Sequence, residues 1–314
     1  MRGLYERLKK ARELSWETFG KNITFYLPGM FTFEGLSGEY PAISITGDQC
    51  SLQCDHCRSK TLEPMVPATT PDLLRKKCLG LWKKGNKGVL ISGGCDQEGH
   101  LPWKEFIEAI GEVRRETGLY ISVHCGLVDY PTACALKEAG VDQALIDVIG
   151  DDETYHKIYH VSFGVSLIES SLDSLQRAGL PVVPHIVCGL DYGNIVGEQE
   201  AIEMISRFSV DRMVMVSLMR IPGTPAWRAR PLRPEDMATL MVKARLRLPR
   251  TQISLGCARE RGNTEIEQLA VDAGVNSMAL PSEEAIKRAK DYGLTIRYQR
   301  TCCSVSHDFS KAQW

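Results

Sequence analysis

The feature that most constrains the fold of this 314-residue chain is a repeated alternation of short apolar runs with segments of helical periodicity. Runs that alternate with helical patterns are typical of a parallel sheet built from strand–helix units. Eight such units predict an α/β fold of the (β/α)8 TIM-barrel type, and the length suits one domain of that kind. The apolar runs are residues 42–46, 88–92, 119–124, 144–149, 182–187, 213–218, 252–255 and 277–280. The helical segments are residues 71–84, 102–117, 132–139, 166–178, 198–208, 234–248, 265–273 and 283–292.

The barrel pattern leaves a segment at each end of the chain, and we predict three regions. Residues 1–41 form a lead-in, with a helix over 4–19 and then an extended aromatic stretch that we expect to pack under or across the barrel. Residues 42–293 form the barrel itself. Residues 294–314 form a cysteine-containing tail that begins with another extended stretch and could return to the barrel mouth.

Charge and hydropathy argue against several functions. The 38 basic and 39 acidic side chains give a net charge of −1, so no electrostatic footprint for nucleic acid or an anionic membrane is expected. The apolar runs are too short for a transmembrane helix, and the N-terminal residues lack the apolar core of a signal peptide. We therefore predict a cytoplasmic location. In such a protein the 11 cysteines indicate metal binding, catalysis or buried apolar packing rather than disulfides.

Three cysteines follow the first apolar run at a spacing that suits iron. Cys50, Cys54 and Cys57 are separated by three and then two residues. Three thiolates at this spacing can bind three irons of a 4Fe–4S cluster and leave the fourth iron open to a small chelating molecule. The alternatives are a zinc site or chance clustering, but the second Cys/His pair that zinc usually recruits does not follow in the next twenty or so residues.

Other cysteines fall at the ends of predicted strands, where barrels collect their chemistry. Each one alone has the alternative explanation of a small buried apolar residue. Together they predict a second, auxiliary iron–sulfur cluster at the barrel mouth, to which the tail pair Cys302 and Cys303 could contribute. Cys78 and Cys134 lie inside helical segments and are assigned to the core. The four cysteines at strand ends are Cys95, Cys125, Cys188 and Cys257.

The three-cysteine motif after a strand, followed by strand–helix units, resembles the radical S-adenosylmethionine (SAM) superfamily along nearly the whole chain. The resemblance implies a radical SAM barrel that binds a 4Fe–4S cluster and SAM. It assigns Gly93 and Gly94 to the SAM amino group, although the acidic residue expected after them is displaced. It places His56 where an aromatic side chain packs on adenine, the alternative being a solvent-facing loop histidine. It offers Asp147 for a ribose hydroxyl or the substrate, the alternative being an N-cap for the turn at 151–152.

Further stretches are similar to biotin synthase. They are residues 123–127, 219–225 and 255–260, and the last of these puts Arg259 at the position of a cluster-binding arginine. The match fails at Ser92 and near Pro184, where that family's other auxiliary cysteines fall, so the same cluster is not expected here.

The whole pattern resembles most the biotin synthase-like proteins that include subunits of a two-component lipoyl synthase from archaea and bacteria. This resemblance is carried by Ser44-Ile-Thr-Gly47, Ser92-Gly-Gly-Cys95 and Cys302-Cys-Ser304. We accordingly assign the auxiliary cluster to Cys95, Cys257, Cys302 and Cys303, with Cys125 and Cys188 as the alternatives.

The resemblance implies sulfur insertion into an unactivated C–H bond, with lipoyl synthesis from an octanoyl group as the leading hypothesis and the auxiliary cluster as sulfur donor. Its implied partners are an octanoylated carrier protein or peptide, a homologous radical SAM subunit and an electron donor such as a ferredoxin. The alternative keeps radical SAM chemistry for methylation, cofactor biosynthesis or peptide modification, with an auxiliary cluster that survives turnover or is absent. A third hypothesis is a non-catalytic iron–sulfur or zinc module that cleaves no SAM.

Overall fold

The computed structural model describes residues 2–309 as eleven parallel strands curled into a partial barrel, with helices around it and a small separate hairpin of β2 and β3. The strands are β1 (Asn22–Tyr26), β2 (Thr32–Phe33), β3 (Leu36–Ser37), β4 (Ala42–Ser44), β5 (Val66–Pro67), β6 (Gly88–Ser92), β7 (Tyr120–His124), β8 (Gln143–Asp147), β9 (Val182–Cys188), β10 (Arg212–Ser217), β11 (Gln252–Leu255), β12 (Ser277–Ala279) and β13 (Thr295–Gln299). The α-helices are α1 (Arg2–Phe19), α2 (Pro71–Lys83), α3 (Trp103–Glu116), α4 (Tyr130–Glu138), α5 (Asp152–Tyr159), α6 (Ser166–Arg177), α7 (Glu198–Ile205), α8 (Pro234–Arg247), α9 (Thr264–Asp272) and α10 (Glu283–Asp291). A 3-10 turn, Pro225–Arg228, follows β10.

The eight predicted strands are all present, and the predicted α/β barrel type is confirmed. They are β4 and β6 to β12, and they lie side by side in chain order with every neighbouring pair parallel. Because all of these strands run the same way, their carboxyl ends meet at one mouth, and residues just after each strand come together there.

The lead-in and the tail were expected to lie beside the barrel. Instead, β1 of the lead-in and β13 of the tail are strands of the same sheet. β1 pairs in parallel with β12, and β13 pairs in parallel with β1. Ile23 and Phe25 of β1 are buried and alternate with the less buried Asn22 and Thr24, as expected for a strand that packs one face against a core. Residues 300–309 then form an irregular segment. Met1 and residues 310–314, which belong to the predicted lead-in and tail, lie outside the described residues.

The two edges of the sheet, β5 and β13, are not paired with each other. The chain before β4 bridges part of this opening. The Glu39 amide donates a hydrogen bond to the carbonyl of Arg300, and the two side chains form an ion pair at 2.9 Å. The Lys87 amide, just before β6, donates to the carbonyl of Glu39 at 2.9 Å. The segment after β13 is therefore tied to the first barrel strands.

The helices cover the outer face of the sheet with apolar stripes. In α3 the buried residues recur at helical spacing, which is what a helix on a sheet requires. They are Trp103, Phe106, Ala109, Ile110 and Val113. Within residues 2–309 no helix combines the length and the apolar character needed to cross a bilayer.

Replacing Phe106 with alanine tests this packing. Phe106 is buried in the core between α3 and the sheet, so we expect a loss of about 3–5 kcal/mol in the free energy of unfolding. The matched control is Phe33→Ala, because Phe33 is 62% exposed, and its effect should stay within about 0.5 kcal/mol. Chemical denaturation followed by circular dichroism measures both. Equal losses in the two variants would contradict the assignment of Phe106 to the core.

Candidate functional site

The loop after β4 carries the three-cysteine motif at the barrel mouth. The Cys54 and Cys57 thiols are within hydrogen-bond contact, and Cys54 is buried while Cys50 and Cys57 are partly exposed. The hydrogen bond from Cys54, aided by neighbouring His56, lowers the pKa of Cys57 despite burial. A thiolate is the form that binds iron. The donor set therefore fits the predicted cluster chemistry.

The glycine turn after β6 clamps this loop. A Cβ atom on Gly94 would lie 2.0 Å from the Gln49 carbonyl oxygen and 2.4 Å from the Cys50 Cβ, so only glycine fits. The Gly94 amide donates to Thr46 Oγ1 at 2.7 Å, and the Ser51 amide donates to the Cys95 carbonyl at 2.7 Å. Gly94 thus supports the cysteine loop directly. The assignment of Gly93 and Gly94 to the SAM amino group stays a prediction.

Asp55, inside the motif, ties the cysteine loop to the rest of the mouth. Its buried carboxylate accepts hydrogen bonds from the Tyr192 hydroxyl at 2.5 Å and pairs with His160 Nε2 at 2.9 Å. Its backbone bonds to Ile158 and Ala226. These contacts reach the end of α5, the loop after β9 and the turn after β10, so Asp55 fixes the loop from three sides.

Removing the Asp55 carboxylate should loosen the loop that carries the cysteines. In Asp55→Ala we expect iron to be lost to a chelator about tenfold faster than in the wild type, because groups that orient metal ligands have effects of this size. The control is Asp48→Ala in the same loop, where the side chain is exposed and accepts a hydrogen bond from the neighbouring Gln49 side chain. Anaerobic chelation followed by absorbance measures the rate. Identical rates for the three proteins would refute this role of Asp55.

His56 turns inward rather than toward solvent. Its ring lies 5.1 Å from the ring of Tyr159, and its Nδ1 is buried with no hydrogen-bond partner in the described part of the chain. Its ring is also in hydrogen-bond contact with the Cys57 thiol. An orphaned buried nitrogen beside the motif suits a ligand held next to the cluster, and packing of His56 on adenine stays a prediction.

A cavity opens beside the motif. It lies over the carboxyl ends of β6, β7 and β8, and its wall combines polar groups with leucine, isoleucine and tyrosine side chains. The polar and glycine lining includes Gly93, Cys95, His124 and Asp147. A smaller cavity of about 260 Å³ shares Ile149 with it and is bordered by Asp151, whose buried Oδ2 lacks a partner within residues 2–309.

Asp147 lies within a group of ionisable side chains in the lumen. Its Oδ1 is 3.5 Å from His124 Nε2. Burial opposes the charge on Asp147, but His124, His185 and His56 outweigh it and lower the pKa of Asp147 to about 2. The N-cap of α5 is Asp151, which accepts from the Thr154 amide at 2.8 Å, so Asp147 does not have that structural role. A role toward ribose or substrate stays a prediction.

Sequence reasoning missed the two histidines beside Asp147. The His124 and His185 ring centroids are 5.6 Å apart, and His185 Nδ1 bonds the Val183 carbonyl oxygen at 3.0 Å. Burial and neighbouring His124 lower the pKa of His185 to about 4. Their positions on the strands could have indicated both histidines. His124 ends β7, and His185 stands on the same face of β9 as Val183 and Val187.

Three of the four predicted auxiliary cysteines come together in the lumen. Cys303 is in hydrogen-bond contact with both Cys257 and Cys302, and Cys302 Sγ lies 3.0 Å from Ser304 Oγ. The hydrogen bonds from Cys303 lower the pKa of Cys257 and of Cys302 and raise that of Cys303. Apolar residues, including Val214 and Val216, surround these three cysteines, which we call the lumen cysteines.

The structure does not bring Cys95 to the lumen cysteines. Its thiol interacts electrostatically with Cys50 and Cys125, and its carbonyl accepts a hydrogen bond from the Ser51 amide of the motif loop. Arg259 is fully buried and donates to Glu267, at 2.6 Å, and to the carbonyls of Gly256, Ala279 and Leu280. Its guanidinium is therefore engaged by protein, and cluster binding by Cys95 or Arg259 stays a prediction.

The alternative cysteines lie outside the lumen. Cys125 and Cys188 are fully buried in the layer between sheet and helices. Cys125 comes directly after His124 of β7 and Cys188 directly after Val187 of β9, so each points away from the lumen-facing side of its neighbour. The expectation that four strand-end thiols face one mouth therefore does not hold for this pair. Cys78 is in the core as predicted, and Cys134 is partly exposed on α4.

Among the described residues, no three His, Cys, Asp or Glu side chains surround a point ready for a single metal ion. This applies to both cysteine groups. In an iron–sulfur cluster each thiolate binds a different iron, and cluster binding by either group stays a prediction.

A polar network holds the segment 303–306, which includes Cys303, inside the lumen. Gln143 donates to the Ser304 carbonyl at 3.0 Å and accepts from the Ser306 amide at 3.2 Å. Arg212 donates to the Cys303 carbonyl at 3.1 Å, and Ser254 donates to the same oxygen at 3.3 Å. These side chains stand on β8, β10 and β11. The segment therefore plugs the barrel and fixes the backbone of Cys303.

We expect Gln143→Leu to loosen this plug. The substitution keeps the volume but leaves the Ser304 carbonyl and Ser306 amide without that partner, at a cost of about 1–3 kcal/mol. Hydrogen exchange of the peptide 300–309 should accelerate accordingly. Gln199→Leu, on the outer surface of α7, is the matched control and should leave that exchange unchanged. Unchanged exchange in Gln143→Leu would contradict the role of this side chain.

Comparison with known families agrees with this arrangement. The profile of the Radical SAM superfamily matches residues 44–206, and that of the Biotin and Thiamin Synthesis associated domain matches residues 209–312. The first match includes the cysteine loop, the glycine turn and the strands that line the cavity, and it covers more than half of the chain. The protein belongs to the radical SAM superfamily.

Its relatives place it within the biotin synthase-like branch of that superfamily. It is 27% identical to the biotin synthase of Neorickettsia sennetsu over 206 residues, which are 64% of this chain and 58% of that enzyme. It is 26% identical to the biotin synthase of Geobacter sulfurreducens over 263 residues, which are 79% of this chain and 77% of that enzyme. The chain thus spans less than two thirds of the Neorickettsia enzyme.

Solved structures support the fold. Methylornithine synthase PylB superposes with a TM-score of 0.66 and 18% identity over 94% of this chain and 89% of that one. The FeFe-hydrogenase maturase HydG superposes with a TM-score of 0.65 and 15% identity over 93% of this chain and 68% of that one. At these identities the likeness concerns architecture alone.

Proposed function

We propose that this protein inserts sulfur into an unactivated C–H bond, and that its reaction is lipoyl formation from an octanoyl group. The observation that carries the proposal is the presence of two separate thiol groups at one lumen. Cys50, Cys54 and Cys57 form the first, and the lumen cysteines form the second. A radical enzyme that only abstracts hydrogen has no need of the second group.

The residues of the mouth suit the cofactors of such an enzyme. Cys50, Cys54 and Cys57 would hold the 4Fe–4S cluster, and the cavity lined by Gly93, Cys95 and Asp147 would hold SAM. When bound, this pair supplies a 5′-deoxyadenosyl radical able to take hydrogen from an alkyl chain. The lumen cysteines would hold an auxiliary cluster, and its sulfide is the proposed source of inserted sulfur.

The chain itself protects the reaction from water. The lumen wall between the two thiol groups is apolar where it meets the cysteines, through Leu145, Val183, Val214 and Val216. The plug at 303–306 closes the lower end. A substrate chain that lies beside the lumen cysteines would therefore contact aliphatic groups rather than bulk water.

The substrate and partners follow from the same proposal. An octanoyl group attached to a carrier protein or peptide would enter from the open mouth, since the plug blocks the other end. A homologous radical SAM subunit could perform one of the two insertions, and a ferredoxin-type donor would provide electrons. A reducing cytoplasm would keep the cysteines available as ligands.

A second candidate keeps the radical SAM chemistry and changes the product. Methylation, cofactor biosynthesis or peptide modification would use an auxiliary cluster only to position the substrate. The architectural likeness to PylB and HydG is compatible with this alternative, because the same barrel serves different products. The two candidates differ in whether the auxiliary cluster survives turnover.

The test is sulfur tracing with an octanoyl-lysine peptide. The protein is reconstituted anaerobically with isotopically heavy sulfide, freed of excess sulfide and given SAM, a reductant and the peptide. The proposal predicts heavy sulfur in the product, seen by mass spectrometry, and a matching loss of protein-bound sulfide. If a homologous subunit is required, the first insertion alone should still appear. SAM cleavage with the cluster intact and no sulfur in any peptide product would reject it.

A further inference from the structure

The segment after β10 lies against the cysteine loop at the mouth of the barrel. The Ala226 amide donates a hydrogen bond to the carbonyl of Asp55 at 3.1 Å. A Cβ atom on Gly223 would lie 3.6 Å from Lys60 Nζ, so the lysine amine rests on the turn. Because these contacts join the two segments, the chain after Cys57 and the chain after β10 form one continuous surface at the mouth.

This surface, residues 57–62 and 218–233, carries six basic side chains and no acidic one, in a chain whose net charge is −1. We call it the basic rim. Three of its cations pair with carboxylates of this chain, and they are Arg58, Arg220 and Arg233. Within residues 2–309 no carboxylate pairs with the other three, which are Lys60, Arg228 and Arg230. The basic rim therefore has positive charge left for a partner.

Trp227 adds an apolar group to the basic rim. It belongs to the 3-10 turn Pro225–Arg228 and is 46% exposed, whereas its neighbour Ala226 is buried. Tryptophan and arginine are the residue types that contribute most to the binding energy of protein interfaces. An exposed indole next to the free guanidinium of Arg228 therefore suits contact with a protein surface.

Other loops of the mouth carry the opposite charge. Exposed carboxylates follow β6 and β8, and they are Asp96, Glu98, Asp152 and Glu153. Because like charges across an interface repel, these loops would turn an acidic partner away, while the basic rim would attract it. The mouth is therefore electrostatically asymmetric and favours one orientation of such a partner.

We propose that the basic rim binds the octanoylated carrier as a folded domain with an acidic surface beside its acylated lysine, with Trp227 as the apolar anchor. This inference rests on the proposed function, which supplies the octanoyl substrate, and it adds the surface that presents that substrate. Carboxylates of the carrier pair with Lys60, Arg228 and Arg230, which speeds the encounter and fixes its orientation. Since the turn contacts Asp55, the docked carrier lies directly beside the cysteine loop.

The experiment measures binding of a small octanoylated carrier domain by anaerobic isothermal titration calorimetry, without SAM. One form of the domain keeps the carboxylates around the acylated lysine, and a second form has amides in their place. The reconstituted wild-type protein should bind the acidic form at least about tenfold more tightly than the amide form. The difference should shrink as salt is added, because salt screens exposed charges.

The variants locate the surface. Arg228→Glu should weaken binding of the acidic form by about tenfold or more, because it places like charges against each other. Trp227→Ala should have an effect of similar size through loss of the anchor. The matched control is Arg250→Glu, which makes the same charge change at an exposed position before β11, at the opposite end of the barrel. It should bind the acidic form as the wild type does.

A charge swap guards against misfolding as the cause. A carrier domain with lysines in place of the carboxylates should bind Arg228→Glu more tightly than it binds the wild type, which a misfolded variant cannot produce. Equal binding of the acidic and amide forms by the wild type would overturn the docking surface. Equal losses in Arg228→Glu and Arg250→Glu would overturn it too, as would binding of a single-stranded RNA in preference to the acidic domain.

Docking and reaction can fail separately. Sulfur insertion into the short octanoyl-lysine peptide, in a protein that does not bind the acidic domain, would overturn the basic rim and leave the proposed reaction standing. Binding of the acidic domain through Arg228 and Trp227, with no sulfur in any product, would support the basic rim and count against the reaction.

Discussion

Replacing Cys54 with serine should lower reductive cleavage of SAM by roughly 10³-fold or more, because the loss of one member of a unit removes nearly all of its catalysis. Cys54 is the buried central cysteine of the motif, and its thiol contacts Cys57. Serine keeps the shape of the side chain but is a poor iron ligand. Formation of 5′-deoxyadenosine in the presence of dithionite, followed by chromatography, measures the effect.

The matched control for this experiment is Cys134→Ser, because Cys134 is a partly exposed residue of α4 and belongs to neither thiol group. It should cleave SAM at the wild-type rate and hold wild-type iron. A Cys54→Ser protein that retains more than about a tenth of the activity would be incompatible with the radical SAM cluster at this motif.

Replacing Cys303 with serine should separate SAM cleavage from sulfur insertion. Cys303 is buried, joins Cys257 to Cys302 and is held from below by Arg212 and Ser254 through its carbonyl. We expect the variant to lose the auxiliary cluster and to form product at least roughly 10²-fold more slowly, an effect typical of a damaged metal site. The backbone contacts that hold the plug remain, so the barrel should stay closed.

SAM cleavage without substrate should remain close to wild type in Cys303→Ser, because the motif loop follows β4, whereas Cys303 lies in the tail and contacts Cys257 and Cys302. Iron content, product mass and 5′-deoxyadenosine together give the result. Normal sulfur insertion by Cys303→Ser would remove the tail cysteines from the mechanism. Parallel loss of SAM cleavage and insertion would instead indicate that Cys303 supports the whole barrel.

The eight-strand barrel was predictable because each strand and helix has its own periodic apolar pattern. β1 was not predicted as a sheet strand, since Ile23 and Phe25 lie in a stretch interrupted by Pro28 and Gly29 whose partner is β12, about 250 residues away. No local pattern reveals such a pairing. The position of the tail strand β13 could not be predicted for the same reason, because β13 pairs with β1.

The candidate site was predictable where its residues are adjacent in sequence. The spacing of Cys50, Cys54 and Cys57 gave that group directly. The grouping of Cys257 with Cys302 and Cys303 was part of the prediction, but the distance of Cys95 from them depends on how the chain turns after β6. The grouping of His124 and His185 beside Asp147 was not predicted. A single histidine on a strand does not indicate a site until it is known which side of the strand faces the lumen.

The measurement that tests the account most directly is the iron and acid-labile sulfide content of the Cys50/Cys54/Cys57→Ala variant after anaerobic reconstitution. With the motif removed, only the lumen cysteines remain as a proposed cluster site. The account predicts about four irons and about four sulfides per chain, in line with one cubane cluster. A variant without iron, in a protein whose wild type holds one cluster and cleaves SAM, would contradict the sulfur-donor role and leave a radical SAM enzyme of another product class.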